Sequence, residues 1–257
     1  MNLDHDFWNE RYATGETGWD IGAPSTPLKE CIDQLTDKSL RVLIPGGGRA
    51  WEAEHAHLLG FANVFVIDLT DAPLHDLVAR CPSFPREHFI VGDFFAHRER
   101  YDLILEQTFF CALDPALRER YVEHMHKLLK PGGKLVGVLF NAELNADKPP
   151  FGGFREDYMP LFRRWFPNVR MEPCRNSIAP RAGRELWLVA QRSASVDCAL
   201  LDRFEEAATL KKPVTLHLKD GATKAGHITD VFARDGADHL RMEDGTELLA
   251  DSVDRLE

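Results

Sequence analysis

The sequence lacks long apolar runs, close cysteine pairs and a secretory leader. None of its apolar segments approaches the roughly 18 residues that a membrane-spanning helix needs, so we do not expect a membrane protein. The first residues, "MNLDHDFWNE", have neither the basic start nor the apolar core of a signal peptide. The five cysteines are odd in number and scattered, without a C-x-x-C pair, which predicts reduced thiols in a cytoplasmic protein.

Basic charge is also scarce. The chain has 31 Lys and Arg against 41 Asp and Glu, a formal net charge of −10. Binding to nucleic acid without sequence preference depends on clustered cations that neutralise phosphates, so this activity is not expected of the surface as a whole. The length of 257 residues allows one α/β domain with a smaller second unit, or two ordinary domains.

Alternating apolar strands and amphipathic helices fill most of the chain. Strands are predicted at 40–48, 63–69, 88–93, 101–108, 134–140 and 184–192. Helices are predicted at 50–60, 72–81, 115–130 and 155–166. This alternation predicts an α/β fold with a doubly wound, mostly parallel sheet.

The pattern changes after a polar segment at 191–197, "QRSASVD", which indicates a linker. Apolar residues then alternate at Val214, Leu216 and Leu218, and Asp-Gly pairs stand at 220–221 and 244–245, as in β-hairpins. We therefore predict two domains, 1–195 and 196–257, of which the second is a short helix followed by about five strands in a small β-barrel.

A glycine loop leaves the first predicted strand. Gly46, Gly47 and Gly48 let the backbone approach a ligand closely while the N–H groups of the next helix point at it. Asp68 ends the second strand, where a carboxylate can bind both hydroxyls of a ribose. Together these features indicate a cofactor that contains adenosine.

Two phosphate-binding alternatives fit less well. A dinucleotide site, as in a nicotinamide-dependent dehydrogenase, needs a third glycine where this chain has Trp51. A P-loop needs Gly-Lys-Ser/Thr where this chain has Arg49 and Ala50. A cofactor that presents an amino-acid end to the glycine loop fits better.

Six segments in order resemble the thiopurine S-methyltransferase-like class I methyltransferases, which include thiol and halide (thiocyanate) methyltransferases. They are "FWNERYATGETGWDIGAPSTPL", "RVLIPGGGRAWE", "VIDL", "VGDFF", "YDLILEQTFFCALDP" and "LLKPGGKLVGVLF", spread over roughly residues 5 to 190. The resemblance implies S-adenosylmethionine as methyl donor. It also implies a small thiol or another soft nucleophile, such as sulfide, a thiopurine, thiocyanate or a halide, as acceptor.

The resemblance also implies roles for individual residues. The implied cofactor-binding residues are Trp8, Tyr12 and Trp19 as an aromatic lid, Gly46 and Gly48 under the methionyl end, Asp68 at the ribose, Asp93 and Phe94 at the adenine, and Gln107 beside the methyl donor. The implied walls of the acceptor pocket are Phe109 and Phe110. Two positions depart from the family, which often has Cys at position 47 and Tyr at position 107.

The sequence offers only weak candidates for acid–base catalysis and for metal binding. An ionised thiol needs no strong base, although Asp20 or Glu106 could assist a more basic one. The pairs His55/His57 and His124/His126 are spaced i, i+2 and face apart on a helix, so we expect surface residues rather than a metal site.

The C-terminal segment has a second, weaker resemblance, to the Rho-binding antiterminator protein of bacteria, which has an Sm-like fold. This leaves two interpretations of 196–257: an accessory unit for dimerisation or for shielding the pocket, or a docking surface for an RNA-handling protein. A rival to the enzyme hypothesis is a catalytically silent protein in which the cofactor fold supports the partner of this unit.

Overall fold

Two β-sheets organise the chain in the computed structural model, which describes residues 3–194, 196–234 and 237–257. One residue of the predicted linker, Ser195, lies outside these ranges. Within them, no helix combines the length and the apolar character that crossing a bilayer requires.

The first sheet has seven strands. They are β1 Arg41–Pro45, β2 Asn63–Asp68, β3 Phe89–Val91, β4 Tyr101–Gln107, β5 Leu129–Phe140, β6 Asn168–Pro173 and β7 Glu185–Gln191. The order across the sheet is β3-β2-β1-β4-β5-β7-β6. The first five strands in this order are parallel, and β7 runs antiparallel to both of its neighbours. The predicted doubly wound, mostly parallel sheet is therefore confirmed.

Helices cover both faces of this sheet. They are α1 His5–Thr14, α2 Thr26–Gln34, α3 Trp51–Leu58, α4 Ala72–Arg80, α5 Arg118–Leu128 and α6 Arg155–Arg163. Alternate residues of β1 enter opposite cores: Leu43 joins the cluster under α5 and α6, whereas Ile44 joins the cluster under α2, α3 and α4. In α5, Tyr121, Met125 and Leu128 form the buried stripe of an amphipathic helix.

Three elements were not predicted: α1, α2 and β6. Helix α1 buries none of its residues completely, so it has no apolar stripe by which a sequence pattern could reveal it. Strand β5 also begins earlier than predicted, at Leu129. An irregularity in its pairing with β4, between Tyr101 and Leu103, carries the "KPGG" segment into the strand.

The second sheet is antiparallel. It follows helix α7 Cys198–Thr209 and has the strands β8 Pro213–Leu218, β9 Thr223–Arg234, β10 Ala237–Met242, β11 Glu247–Leu249 and β12 Val253–Leu256. Both Asp-Gly pairs lie in hairpin turns, with Gly221 and Gly245 at positive φ, as predicted. Phe204 of α7 is buried against this sheet.

The closed barrel predicted for this unit is absent from the described residues. The strand order is β11-β10-β9-β8-β12, so β11 and β12 are edges that do not pair with each other. The three residues of β11 all pair with β10, and the short turn Ala250–Ser252 then carries the chain across to β8.

A buried ion pair joins the two sheets. Arg192, which is 1% exposed, donates from Nε and Nη2 to Oδ2 of Asp251 at 2.7 Å each. Its Nη1 donates to the carbonyl oxygen of Leu129 at 2.5 Å. The carboxylate of Asp251 also lies 3.5 Å from Nε2 of His126. Both units therefore contribute charges to one desolvated cluster.

The predicted surface positions of His124 and His126 are wrong. Both side chains are buried. His124 is hydrogen-bonded through Nε2 to the carbonyl oxygen of Phe94 at 2.8 Å, and His126 packs against Trp165 and Phe166. Burial lowers the pKa of His126 to about 3, with Arg192 nearby acting in the same direction and Asp251 opposing it.

We expect Asp251→Asn to lower the free energy of unfolding by about 3–5 kcal/mol, because it leaves the buried Arg192 guanidinium without a countercharge. Chemical denaturation followed by circular dichroism measures the change. Asp254→Asn is the control, because it changes an exposed carboxylate three residues after Asp251. It should change stability by less than about 0.5 kcal/mol. Equal stability of the two variants would contradict the importance of the ion pair.

Candidate active site

A small cavity of about 40 Å³ lies beyond the carboxyl ends of β1 and β4. These strands are neighbours at the centre of the sheet, where the chain order reverses and where open α/β sheets bind ligands. The residues around the cavity are Trp19, Asp20, Ile21, Ala23, Ser25, Ile44, Gly46, Gly47, Gly48, Arg49, Trp51, Glu52, Gln107, Thr108 and Arg181. Among the residues that the structure describes, no three His, Cys, Asp or Glu side chains are grouped as metal ligands.

The glycine loop forms one wall of the cavity and leads from β1 into α3. Gly46 and Gly48 have φ values of 55° and 52°, in the left-handed region that favours glycine. A Cβ on Gly46 would stand 2.2 Å from Cδ2 of Phe109, and a Cβ on Gly48 would stand 3.3 Å from Nε1 of Trp19. The loop therefore needs glycine both for its conformation and for close neighbours.

Asp68 ends β2 beside this loop, and its role at a ribose stays a prediction. Its Oδ1 accepts a hydrogen bond from the backbone N of Thr70 at 3.1 Å. Burial raises the pKa of Asp68 to about 6, and hydrogen bonds from the backbone of Thr70 and of Gly48 limit the increase. A carboxylate near the glycine loop is thus held in place by the backbone around it.

The three N-terminal rings meet over the glycine loop. Trp8 and Tyr12 project from α1, and each ring centroid lies 5.7 Å from that of Trp19 in an edge-to-face arrangement. The pKa of the Tyr12 hydroxyl is raised, mainly by burial and then by the nearby carboxylate of Asp68. The three rings predicted to form a lid therefore pack on one another, with Trp19 and Tyr12 next to Gly48, and their role over a cofactor stays a prediction.

Polar contacts fasten the lid on two sides. Asp20 accepts a hydrogen bond from Nε1 of Trp51 at 2.8 Å and forms an ion pair with Nε of Arg49 at 2.8 Å. Arg181, which also lines the cavity, donates from Nη2 to the carbonyl oxygen of Trp19 at 3.1 Å. Asp20 lines the cavity, but both of its carboxylate oxygens are engaged by these partners, which favours a role in lid attachment.

Glu106 lies behind the cavity, not in it. The residue is fully buried, Oε1 accepts from the backbone N of Phe109 and of Phe110 at 2.8 and 2.9 Å, and Oε2 accepts from the Tyr121 hydroxyl at 2.5 Å. Burial raises the pKa of Glu106 to about 7, against the effect of these hydrogen bonds. This position argues against the predicted role of Glu106 as a general base.

Gln107, next along β4, faces the cavity. Its Oε1 is buried and accepts no hydrogen bond from any described residue. Thr108 follows with a φ of 60°, which is uncommon for a β-branched residue. An unsatisfied buried acceptor is costly, so the cavity has the polarity of a site that receives a donor group from a ligand.

Besides Glu106, seven predicted site residues do not line the cavity: Trp8, Tyr12, Asp68, Asp93, Phe94, Phe109 and Phe110. Asp93 is exposed, and its Oδ1 accepts from the backbone N of Phe95 at 2.8 Å. Phe94 is 4% exposed and belongs to the core, as does Phe110, which is 2% exposed. Phe109 connects the two regions, because its ring touches Gly46 on one side and Phe94 on the other, at 5.1 Å between centroids. The structure therefore places Phe110 behind the expected pocket wall.

Sequence reasoning missed Glu52 and Arg181. Glu52 is buried at the start of α3 and its Oε1 accepts from the backbone N of Ser25 at 2.9 Å, which ties the segment after the lid to the glycine loop. An acidic residue in the first helical turn after the loop was a usable signal for Glu52. Arg181 lies in the connection between β6 and β7, where no local sequence pattern marks it as a site residue.

Comparison with known proteins decides between the remaining interpretations. The sequence model of the thiopurine S-methyltransferase family matches residues 3–193. The chain belongs to the thiopurine S-methyltransferase family. The predicted S-adenosylmethionine-dependent methyltransferase is thereby confirmed.

The relatives of this methyltransferase come from plants and bacteria. A probable thiol methyltransferase 2 of Arabidopsis thaliana is 26% identical over 189 residues, which cover 69% of this chain and 81% of that protein. A thiopurine S-methyltransferase of Vibrio cholerae is 24% identical over 220 residues, covering 72% of this chain and 97% of that protein.

The fold has known relatives as well. A crystal structure of the 1,6-didemethyltoxoflavin-N1-methyltransferase of Burkholderia thailandensis, with bound S-adenosylhomocysteine, aligns with a TM-score of 0.59 at 18% identity. It covers 74% of this chain and 87% of that one. At this identity the likeness shows the class I methyltransferase fold alone.

We expect Trp19→Ala to weaken binding of S-adenosylmethionine by about tenfold or more, because it removes the ring that closes over the glycine loop. The loss should be smaller for S-adenosylhomocysteine, whose sulfur carries no positive charge. Calorimetric titration measures both affinities. Trp19→Phe keeps a ring and is the matched control; if Trp19→Ala binds both ligands normally, the lid serves only to pack the N-terminus.

We expect the stability difference between the natural protein and Glu106→Gln to depend on pH. The folded pKa of about 7 exceeds the usual carboxyl value of 4.5. The protonated form therefore adds stability below pH 4.5, and this contribution is lost as pH rises to 7, by roughly 3 kcal/mol. Denaturant titrations of both proteins at several pH values measure the difference, and a difference that stays constant would show that Glu106 titrates normally.

Proposed function

We propose that this methyltransferase transfers the methyl group of S-adenosylmethionine to a small, anionic soft nucleophile, such as sulfide, a small thiolate, thiocyanate or a halide. The observation that carries the proposal is the small cavity under the aromatic lid, between Gln107 and Arg181, in a chain of this family. The names of the two relatives cited above, a thiol methyltransferase and a thiopurine S-methyltransferase, support a sulfur acceptor.

The residues present fit the cofactor. The glycine loop at Gly46 and Gly48 has no side chains to block a ligand, Asp68 stands beside it, and Gln107 offers an unsatisfied buried oxygen. These residues would hold the methionyl and ribose ends, and Trp8, Tyr12 and Trp19 would cover them. When bound, S-adenosylmethionine supplies an activated methyl group on a cationic sulfur, which aromatic faces stabilise by about 0.5–2 kcal/mol each.

The cavity is much smaller than the roughly 300–1,000 Å³ of typical ligand pockets. The lid residues Trp19 and Tyr12 lie close to Gly48 and take up part of this space. Cofactor binding therefore requires the lid to move away from the glycine loop. The acceptor must share the site with the cofactor, so we expect a small acceptor to fit better than a large one.

Two guanidinium groups, of Arg49 and Arg181, line the cavity, and we propose that an anionic acceptor binds next to them. Asp20 forms an ion pair with Arg49, and Oε1 of Glu185 lies 3.7 Å from Nη1 of Arg181. Burial raises the pKa of Glu52, which lines the cavity, and of Glu185, which forms an ion pair with Arg181. An acceptor that is already ionised needs no general base, so the residues contribute orientation and exclusion of water.

For residues 196–257 we propose an accessory unit related to Sm-like proteins. The support is the order of its elements, a helix followed by five antiparallel strands, and the ion pair between Arg192 and Asp251, which fixes the unit to the methyltransferase. Dimerisation or a protein partner at this unit stays a prediction.

We expect transfer of a labelled methyl group from S-adenosylmethionine to sulfide, a small thiol, thiocyanate or iodide, with a bulky thiopurine as the poorest acceptor, because the cavity is small and faces Arg181. Scintillation counting or mass spectrometry detects the products. Asp68→Ala, with an impaired ribose site, is the control for background transfer. Binding of S-adenosylhomocysteine without transfer to any of these acceptors would instead support a catalytically silent protein.

A further inference from the structure

We infer that Glu106 is a positioning residue, which aligns three parts of the cofactor site by holding the turn of residues 108–110 from behind. The inference rests on the proposed function, because it concerns the affinity for the methyl donor. It assigns Glu106 no contact with reactants, since the side chain is fully buried and does not line the cavity.

The first step is the hydrogen bonding of the carboxylate. Two consecutive backbone N–H groups, of Phe109 and Phe110, converge on Oε1, and the Tyr121 hydroxyl of α5 donates to Oε2. Glu106, the second-last residue of β4, thereby sets the path of the backbone that follows the strand. Adjacent N–H groups that point to one oxygen cannot also point into the cavity, so the turn presents Gln107 and Thr108 to the cavity instead.

The second step is the conformation of Thr108. Its φ of 60° lies in the left-handed region, where a β-branched side chain is strained. Such a conformation persists only when its surroundings impose it. Glu106 bears directly on this backbone, because it accepts hydrogen bonds from the next two residues, Phe109 and Phe110. The Thr108 hydroxyl adds one bond, to the carbonyl oxygen of Gln107 at 2.7 Å.

The third step connects the turn to the glycine loop. The ring of Phe109 occupies the place where a side chain on Gly46 would be, with only 2.2 Å between Cδ2 and such a Cβ. The same ring lies 5.1 Å from that of Phe94, which follows β3. A shift of the Phe109 backbone therefore moves the packing of the β1 loop and of the segment after β3 together.

The position of Glu106 is restricted from the other side as well. A Cβ on Gly137 of β5 would lie 2.4 Å from Cβ of Glu106, so only glycine fits next to it. Cys111 lies nearby, and its Sγ donates to the carbonyl oxygen of Thr108 at 3.2 Å. The strand, the turn and α5 thus form a fixed frame around one carboxylate.

The test compares affinities for S-adenosylhomocysteine by calorimetry at a temperature where each variant is folded by circular dichroism. We expect Glu106→Ala to weaken binding by about tenfold or more, because both N–H groups and the Tyr121 hydroxyl lose their acceptor. Glu106→Gln should stay within about threefold of the natural protein, because its amide oxygen can accept from both N–H groups. Asp102→Asn is the matched control, a carboxylate at the start of β4 that accepts from the backbone N of Arg41, and it should leave the affinity unchanged.

A double variant separates positioning from general loss of stability. Glycine tolerates the left-handed region, so Glu106→Ala should cost at least threefold less affinity in a Thr108→Gly background than in the natural sequence. Equal losses in both backgrounds, or normal binding by Glu106→Ala, would overturn the inference. If Glu106→Ala does not fold, Tyr121→Phe replaces it in the same cycle, with a smaller loss expected in the same direction. Failure of the natural protein to bind S-adenosylhomocysteine would reject the proposed function instead.

Discussion

The carboxylate of Glu106 is shielded from water, and its two oxygens accept from two backbone amides and a tyrosine. Taking a carboxylate out of water is unfavourable, and here the hydrogen bonds offset part of that cost. The geometry of the site follows from this arrangement. The turn after β4 donates two backbone hydrogen bonds to the carboxylate, and Gln107 and Thr108 face the cavity. The ring of Phe109 packs against Gly46.

The lid opposite this turn depends on a different kind of interaction. Its aromatic rings pack edge to face on one another, while its charged contacts lie at the periphery, between Asp20 and Arg49 and between Arg181 and the Trp19 carbonyl. No strand contributes to the lid. Its attachment can therefore change without loss of the hydrogen bonds of the sheet, whereas the turn under Glu106 is continuous with β4. The site therefore combines a turn that is continuous with the sheet and a lid that can move separately from it.

Local patterns carried most of the fold and part of the site. The strands, the glycine loop and Asp68 were predictable because apolar periodicity and positive-φ glycines act within a few residues of chain. The burial of Glu106 was not, since it depends on Tyr121 of a later helix and on the shape of a turn. The same holds for His126, whose burial depends on Trp165 and on contacts with the second unit. Arg181 reaches the cavity only because the sheet brings distant segments together.

The ion pair between Arg192 and Asp251 links the interior of the methyltransferase to the second unit. The match to the thiopurine S-methyltransferase family ends at residue 193, so Arg192 is among the last residues of the shared region, while its counterion, Asp251, lies outside that region. A chain shortened to the shared region would keep the Arg192 guanidinium without its counterion, Asp251. Part of the interior of the methyltransferase therefore depends on a residue that lies outside the region shared with the family.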